Sequence, residues 1–331
     1  MSKIIIHIPK LQQSGGNLIS KELADYLVDE GYDVLIFTGF SFCCAHEVDL
    51  TKRKKNIVNS LSNLLAFFNC SLVSLFYKNT VATHHLTALF NFIRPVKYAF
   101  IQDIEKDFYP QKFKAIGTAL WNIYLMSEVK FSTNVTLLNR STTASEKSVG
   151  VSFFSQDINA FQAFEREIDV LLILRDGDYK SPDLTLNLHR RLLDKKVNCF
   201  LINASRQDLN AEPNVIDALQ RSHLLDIFRK TKIFVCLSKW EGLGLPNIES
   251  YLSGCTVLST GIPSLVELSA IDNKAVFELK LKPNDCLIDD VLESLYSYKV
   301  PNSRELIERQ VAVDELTNTW KEYISRVFQS K

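Results

Sequence analysis

The sequence predicts an α/β protein made of two doubly wound, Rossmann-like domains in succession. Three observations carry that reading. The first forty residues run strand, glycine turn, helix, strand. The same alternation restarts near residue 165 with the buried run Asp169-Val-Leu-Leu-Ile-Leu174. The 331 residues hold two domains at roughly 150 residues each.

Each element follows from a local pattern. Lys3 to Ile8 is a β-branched run suited to a buried parallel strand. Gln13-Ser14-Gly15-Gly16-Asn17 is a turn, and Asn17 opens the next helix as a cap or as a ligand contact. Leu18 to Glu30 carries Leu18, Ile19, Leu23, Tyr26 and Leu27 at helical spacing, and Gly31 ends it. Tyr32 to Thr38 is the next strand, completing a βαβ unit. Short strands are expected at Val81 to Thr83, Tyr98 to Gln102 and Asn134 to Leu138, the last before a Ser/Thr-rich turn at Ser141 to Ser145. After the reset come a helix (Leu184 to Asp194), a strand (Asn198 to Asn203), a helix (Leu219 to Lys230) and a strand (Ile233 to Leu237). A helix from Leu245 to Ser253 and a strand from Thr256 to Ser259 follow. Val313 to Phe328 reads as an amphipathic helix. The domain division is 1–165 with 313–331, and 166–312.

Composition narrows the function. With 38 basic and 38 acidic residues the formal charge is zero, which disfavours a nucleic-acid binder. The seven cysteines (Cys43, Cys44, Cys70, Cys199, Cys236, Cys255, Cys286) form no CxxC pair and no zinc-like cluster. They read as small buried apolar residues in a reducing compartment. The N-terminus has no basic region followed by an apolar run and a cleavage site, so a cytoplasmic protein is expected. Ile57 to Tyr77 carries no charge and follows Lys52, Arg53, Lys54 and Lys55. Asn59, Ser60, Ser62, Asn63, Asn69, Cys70 and Ser71 interrupt it and argue against a membrane span. It suits a buried helix followed by a strand or second helix, or else a face resting on anionic lipid.

The segment from Lys239 to Gly261 is the most informative. A strand end, a glycine turn and a helix start succeed one another at Glu241-Gly242-Leu243-Gly244-Leu245-Pro246, and Glu249 follows inside the helix. Gly242 and Gly244 let backbone approach a ligand, and Pro246 suits a first helical turn. Free amides at that helix start suit a diphosphate. A carboxylate beside such a turn suits sugar or ribose hydroxyls. The alternative is a strand–turn–helix with solvated, capping carboxylates.

These residues, with Ser253-Gly254-Cys255-Thr256-Val257, resemble the E-x7-E motif of retaining glycosyltransferases of GT-B architecture, carbohydrate-active family four. Arg175 and Lys180 match the Arg and Lys that the family places after the first strand of its second domain. The Gly15-Gly16 turn resembles the family's first glycine loop. Ala82-Thr83, Thr87-Ala88, Gln102-Asp103-Ile104-Glu105 and Phe108-Tyr109-Pro110 resemble a subset that includes bacterial rhamnosyltransferases of cell-surface glycans.

The resemblance implies two domains facing a cleft, with the last helix crossing back to the first domain. It implies sugar transfer from a nucleotide diphosphate sugar to a hydroxyl of a glycan or lipid-linked acceptor, with retention. Arg175, Lys180, Gly242, Leu243, Gly244 and Leu245 would hold the diphosphate, Glu249 the ribose, and Glu241 the donor sugar. Gly15 and Gly16 would lie near the donor phosphates and the acceptor, and His84 or His85 would contact donor or acceptor. Asp103 and Glu105 would bind acceptor hydroxyls or form a local salt bridge. No cofactor beyond the donor is expected. Asp176-Gly177-Asp178 spells a metal motif of a different architecture, but Arg175 and Lys180 already supply positive charge, so no metal is assigned. A non-catalytic nucleotide-sugar-binding subunit and a sugar-nucleotide epimerase of the same fold are the alternatives.

Overall fold

The computed structural model describes residues 3–329, apart from positions 10, 12–13, 49, 51–59, 144–148, 153–164, 218 and 281–283. The basic run Lys52 to Lys55 therefore lies outside the described residues, as do Gln13 and the side chain of Cys286. The chain divides into two compact units, Met1–Phe154 with Thr317–Lys331, and Ser155–Leu316.

The first unit contains β1 (Ile4–His7), α1 (Gly15–Asp29), β2 (Val34–Phe37), β3 (Phe42–Cys44), α2 (Ser60–Phe76), β4 (Thr80–Ala82), β5 (Tyr98–Ile101), α3 (Lys114–Tyr124), β6 (Val129–Ser132) and α4 (Val135–Ser141). Its sheet has the order β3-β2-β1-β4-β5-β6. All neighbours are parallel except β3, which runs antiparallel on the edge. The winding reverses between β1 and β4, the point where such sheets open a crevice at the carboxyl ends of their strands. Ile5, Ile6, Val81, Phe100 and Phe131 are fully buried in this sheet, as expected for parallel strands covered on both faces.

Several local expectations need correction. Ser14, not Asn17, caps α1, because its Oγ accepts the Asn17 amide at 3.3 Å. The strand expected at Asn134 to Leu138 is a helix. Asn134 Oδ1 accepts the Leu137 amide at 2.8 Å and starts α4, while the strand lies earlier, at β6. Among the described residues, the region ending at Tyr77 holds one helix, α2, and no second helix follows it there. That helix buries only one face: Ala66, Cys70 and Ser74 are inside, whereas Leu61, Leu64, Leu65 and Phe68 are exposed. Among the described residues no helix is long and apolar enough to cross a membrane. Cys70, Cys199, Cys236 and Cys255 are buried and free, but Cys43 and Cys44 are half-buried, since β3 is an edge strand.

The second unit contains β7 (Ile168–Leu174), α5 (Pro182–Asp194), β8 (Cys199–Asn203), β9 (Val215–Asp217), α6 (Arg221–Arg229), β10 (Thr231–Cys236), α7 (Leu245–Leu252), β11 (Thr256–Ser259), α8 (Pro263–Ile271), β12 (Val276–Glu278) and α9 (Asn284–Ser297). Its sheet order is β12-β11-β10-β7-β8-β9, and all pairs are parallel. The winding reverses between β7 and β10. One core of Val170, Leu172, Leu188, Leu192, Leu201, Val235 and Ile288 joins the sheet to α5 and α9.

The last helix, α10 (Ser303–Gln329), belongs to both units: its residues from Thr317 onward join the first. There Trp320 donates to the Ser132 carbonyl at 2.9 Å, and Phe328 stacks on Tyr98 with centroids 4.3 Å apart. It begins ten residues before the expected Val313. Asn302 and Glu305 cap it reciprocally, each side chain accepting the other's amide at 3.0 and 2.8 Å. The exposed Ile307 and Val311 blur the apolar period over that first stretch.

Candidate functional site

In the second unit the predicted site residues gather at the winding reversal. Arg175 directly follows β7, Lys180 ends a short turn after it, and Glu241 lies in the loop after β10. The Glu241 carboxylate is buried, at 5% exposure. Lys180 Nζ lies 2.6 Å from its Oε2, and Arg175 pairs with Oε1. Ser238 Oγ donates to Oε1 at 2.8 Å. Burial alone would raise this carboxyl, but Arg175, Lys180 and Ser238 outweigh it and hold the group below the usual carboxylate range. Burial likewise opposes the Arg175 charge, and Glu241 more than restores it. The two loops are tied together by the Lys239 amide, which donates to the Tyr179 carbonyl at 2.8 Å.

The turn from Gly242 to Gly244 is buried with Leu243 and leads into α7. Gly244 sits at the helix start with φ +78. A Cβ there would stand 2.7 Å from Ser264 Oγ and 2.9 Å from Ile262 Cδ1, so only glycine fits. Leu245 and Pro246 form the first turn and remain half-buried. Asn247 is fixed by its donations to Ser259 Oγ at 3.0 Å and Ser264 Oγ at 3.3 Å. The result is an eight-residue helix that starts at the carboxyl end of β10, the neighbour of the strand after which Arg175 stands.

Glu249 takes a different partner from Glu241. It lies inside α7, buried at 4%, and accepts from Arg221 Nε at 2.8 Å. Burial raises its carboxyl, and Arg221 offsets only part of that. Asp176 and Asp178 are exposed; Asp176 accepts from the Arg206 amide at 3.3 Å. Among the described residues neither joins a group of three potential metal ligands.

In the first unit Gly15 and Gly16 are the opening residues of α1 and not a free turn. A Cβ on Gly16 would lie 2.6 Å from Gln102 Oε1. Its absence lets Gln102 reach over the helix start and donate to Ser20 Oγ at 2.6 Å. His84 and His85 follow β4. His84 Nδ1 accepts the Leu86 amide at 3.1 Å, and burial with His85 alongside pushes its imidazole down to about 3. His85 is buried between Tyr109 and Glu105, with Nε2 2.7 Å from the phenol oxygen and Nδ1 3.5 Å from Glu105 Oε2. Asp103 Oδ1 accepts the Ile104 amide at 2.8 Å. His84, His85 and Glu105 bring potential metal-ligating atoms within 4.8 Å of one another. His84 Nδ1 and His85 Nε2 are engaged in hydrogen bonds, whereas His85 Nδ1 and Glu105 Oε2 are buried without a hydrogen-bond partner of proper geometry.

Sequence reasoning missed Ser238 and Arg221. Ser238 is legible in hindsight as a hydroxyl at a strand end three residues before a key carboxylate. Arg221 belongs to a separate helix, and no local spacing links it to Glu249.

No family model matches the chain, and no curated protein matches it in sequence. Solved structures do match. Anabaena HepE in complex with UDP and glucose is 14% identical, with a TM-score of 0.66 and full coverage of both chains. WaaG, a glycosyltransferase involved in lipopolysaccharide biosynthesis, is 11% identical at a TM-score of 0.64, again over both full chains. An E. coli trehalose-6-phosphate protein bound with UDP-2-fluoro glucose is 12% identical at 0.62, with the same coverage. The fold is therefore the two-sheet, Rossmann-like α/β fold of the GT-B glycosyltransferases.

Proposed function

We propose that this protein is a glycosyltransferase that moves a sugar from a nucleotide diphosphate sugar to a hydroxyl of a glycan or lipid-linked acceptor, with retention and without a metal. The observation that carries this is the convergence of Arg175 and Lys180 on buried Glu241, beside the Gly244–Leu245 helix start. Two cations beside a helix start offer compensation for charge growing on a departing diphosphate. HepE, with the same fold, is bound to UDP and glucose, which makes a UDP sugar the first donor to test.

The donor phosphates draw Arg175 and Lys180 away from Glu241. The freed Glu241 carboxylate then bonds a hydroxyl of the donor sugar and faces the cationic centre that develops as the glycosidic bond breaks. Glu249, held by Arg221, is the ribose contact. The acceptor hydroxyl attacks on the face the diphosphate leaves, and its proton passes to the leaving phosphate, so no protein base is assigned. The role belongs to surface polysaccharide synthesis. The exposed Leu61, Leu64, Leu65 and Phe68 of α2 rest on an anionic membrane bearing the acceptor.

The deciding experiment measures hydrolysis and transfer with a panel of nucleotide diphosphate sugars, in a chelator and with added manganese. Turnover that survives chelation and an anomeric product of retained configuration support the reading. No binding of any nucleoside diphosphate would refute it. Failure to float with anionic liposomes would refute the membrane contact alone.

A further inference from the structure

The carboxyl ends of β4 and β5 carry a second polar group that the diphosphate chemistry does not use. Glu105, His85 and Tyr109 form a chain: carboxylate, imidazole and phenol, with spacings of 3.5 Å and 2.7 Å. Glu105 is 7% and His85 3% exposed. Glu105 Oε2 and His85 Nδ1 are buried and have no hydrogen-bond partner of proper geometry. Burying a carboxyl so thinly satisfied is costly, and apolar side chains would fill the space at less cost. The outer member, Tyr109, is only partly buried.

Tyr109 is also held from its other side. A Cβ on Gly117 of α3 would lie 2.5 Å from Tyr109 Cδ2 and 2.6 Å from Cγ. The helix backbone thus packs directly on the phenol ring, and the ring is clamped between α3 and His85. A phenol fixed in this way keeps one hydrogen-bonding direction for His85 and leaves the other for a second partner. It offers no positive charge for a phosphate. Its chemistry suits a neutral hydroxyl.

We infer that Tyr109 is a sugar-hydroxyl contact of the first unit, and that His85 and Glu105 are positioning residues that hold its phenol oxygen. This rests on the glycosyltransferase reading for its role in turnover, but not for the binding itself. The sugar is that of the acceptor or that of the donor, since both present the same hydroxyls. With Glu105 ionised, His85 Nδ1–H faces it, Nε2 accepts from the Tyr109 hydroxyl, and the phenol lone pair accepts from the sugar. Burial raises the Glu105 carboxyl, with His85 offsetting part of this. When Glu105 holds its proton the chain reverses, and Tyr109 donates instead.

The first test needs no nucleotide. Methyl glycosides of glucose, rhamnose and N-acetylglucosamine are titrated into the full chain and into Y109F by ligand-observed NMR. Wild type is expected to bind at least one of them, and Y109F to bind it about three- to tenfold more weakly, the range for one neutral hydrogen bond. No binding of any glycoside by wild type, or equal binding by both proteins, overturns the inference. Absence of nucleoside diphosphate binding would count instead against the function proposed above. In turnover, Y109F raises KM for the acceptor, or raises KM for the nucleotide sugar while leaving affinity for the free diphosphate unchanged; the two results separate the sources. Glu105→Gln and Gly117→Ala, which displace the phenol without removing it, raise the same KM with kcat retained. A fall in kcat and melting temperature with KM unchanged in these two variants would mark a purely structural role and overturn the positioning assignment.

Discussion

Replacing Glu241 with glutamine keeps the side chain's shape and removes its charge. That carboxylate balances Lys180 at 2.6 Å and Arg175. Removing one partner of a buried ion pair costs about 3–5 kcal/mol. The Lys180 side chain is 10% exposed and that of Arg175 30%, so water screens part of the Arg175 share. The expected loss is therefore about 3 kcal/mol, or a fall of about 6–12 °C in the melting of the second unit. A nucleoside diphosphate then acts in the opposite sense. It brings the missing negative charge, and the variant has no carboxylate to displace first. E241Q should bind UDP about tenfold more tightly than wild type, a difference of about 1.4 kcal/mol, while losing transfer. Scanning calorimetry and titration calorimetry check the two halves. Unchanged melting together with weaker UDP binding would refute the idea that Glu241 must release the two cations before a diphosphate can bind them.

Arg175→Ala and Lys180→Ala should each lower transfer by about 10²–10³-fold, read in a donor-turnover assay; full activity in both would remove the diphosphate assignment. Gly244→Ala must take φ +78 and meet Ser264 and Ile262, so it should destabilise by about 1–3 kcal/mol, seen as a lower denaturant midpoint. His7 is fully buried, and burial pushes its imidazole from 6.5 down to about 3. The unfolded chain takes up that proton first, so stability is intact above pH 6.5 and falls as pH drops toward 3, by at most about 1.4 kcal/mol per pH unit. His7→Leu should flatten this acid limb in denaturant titrations, and identical limbs would reject the argument.

The architecture was legible because parallel strands buried on both faces leave nearly continuous apolar runs, as at Ile4 to Ile6 and Val170 to Leu174. The glycine turn at Gly242 to Gly244 was legible for a similar reason: a left-handed helix start admits few residues. Short edge features were not. Asn134 to Leu138 alternates enough to pass for a strand, and only the capping bond of Asn134 decides for helix. Ion-pair partners were only half legible. The residue types at Arg175, Lys180 and Glu241 stand out, but their mutual pairing depends on β7 and β10 being neighbours, which is a property of the sheet. Glu249 with Arg221, and Glu105 with His85 and Tyr109, depend on tertiary proximity that no local period records.

The split allegiance of α10 sets an order of assembly. The first 154 residues make a sheet whose hydrophobic face still lacks Trp320 and Phe328, and Ser132 still lacks its donor. During synthesis the whole second unit is made before that closing segment emerges. A domain made early normally folds early; here the earlier-made sheet is the later one to be completed. Truncation near the C-terminus should therefore expose apolar surface in the N-terminal unit, at the opposite end of the sequence.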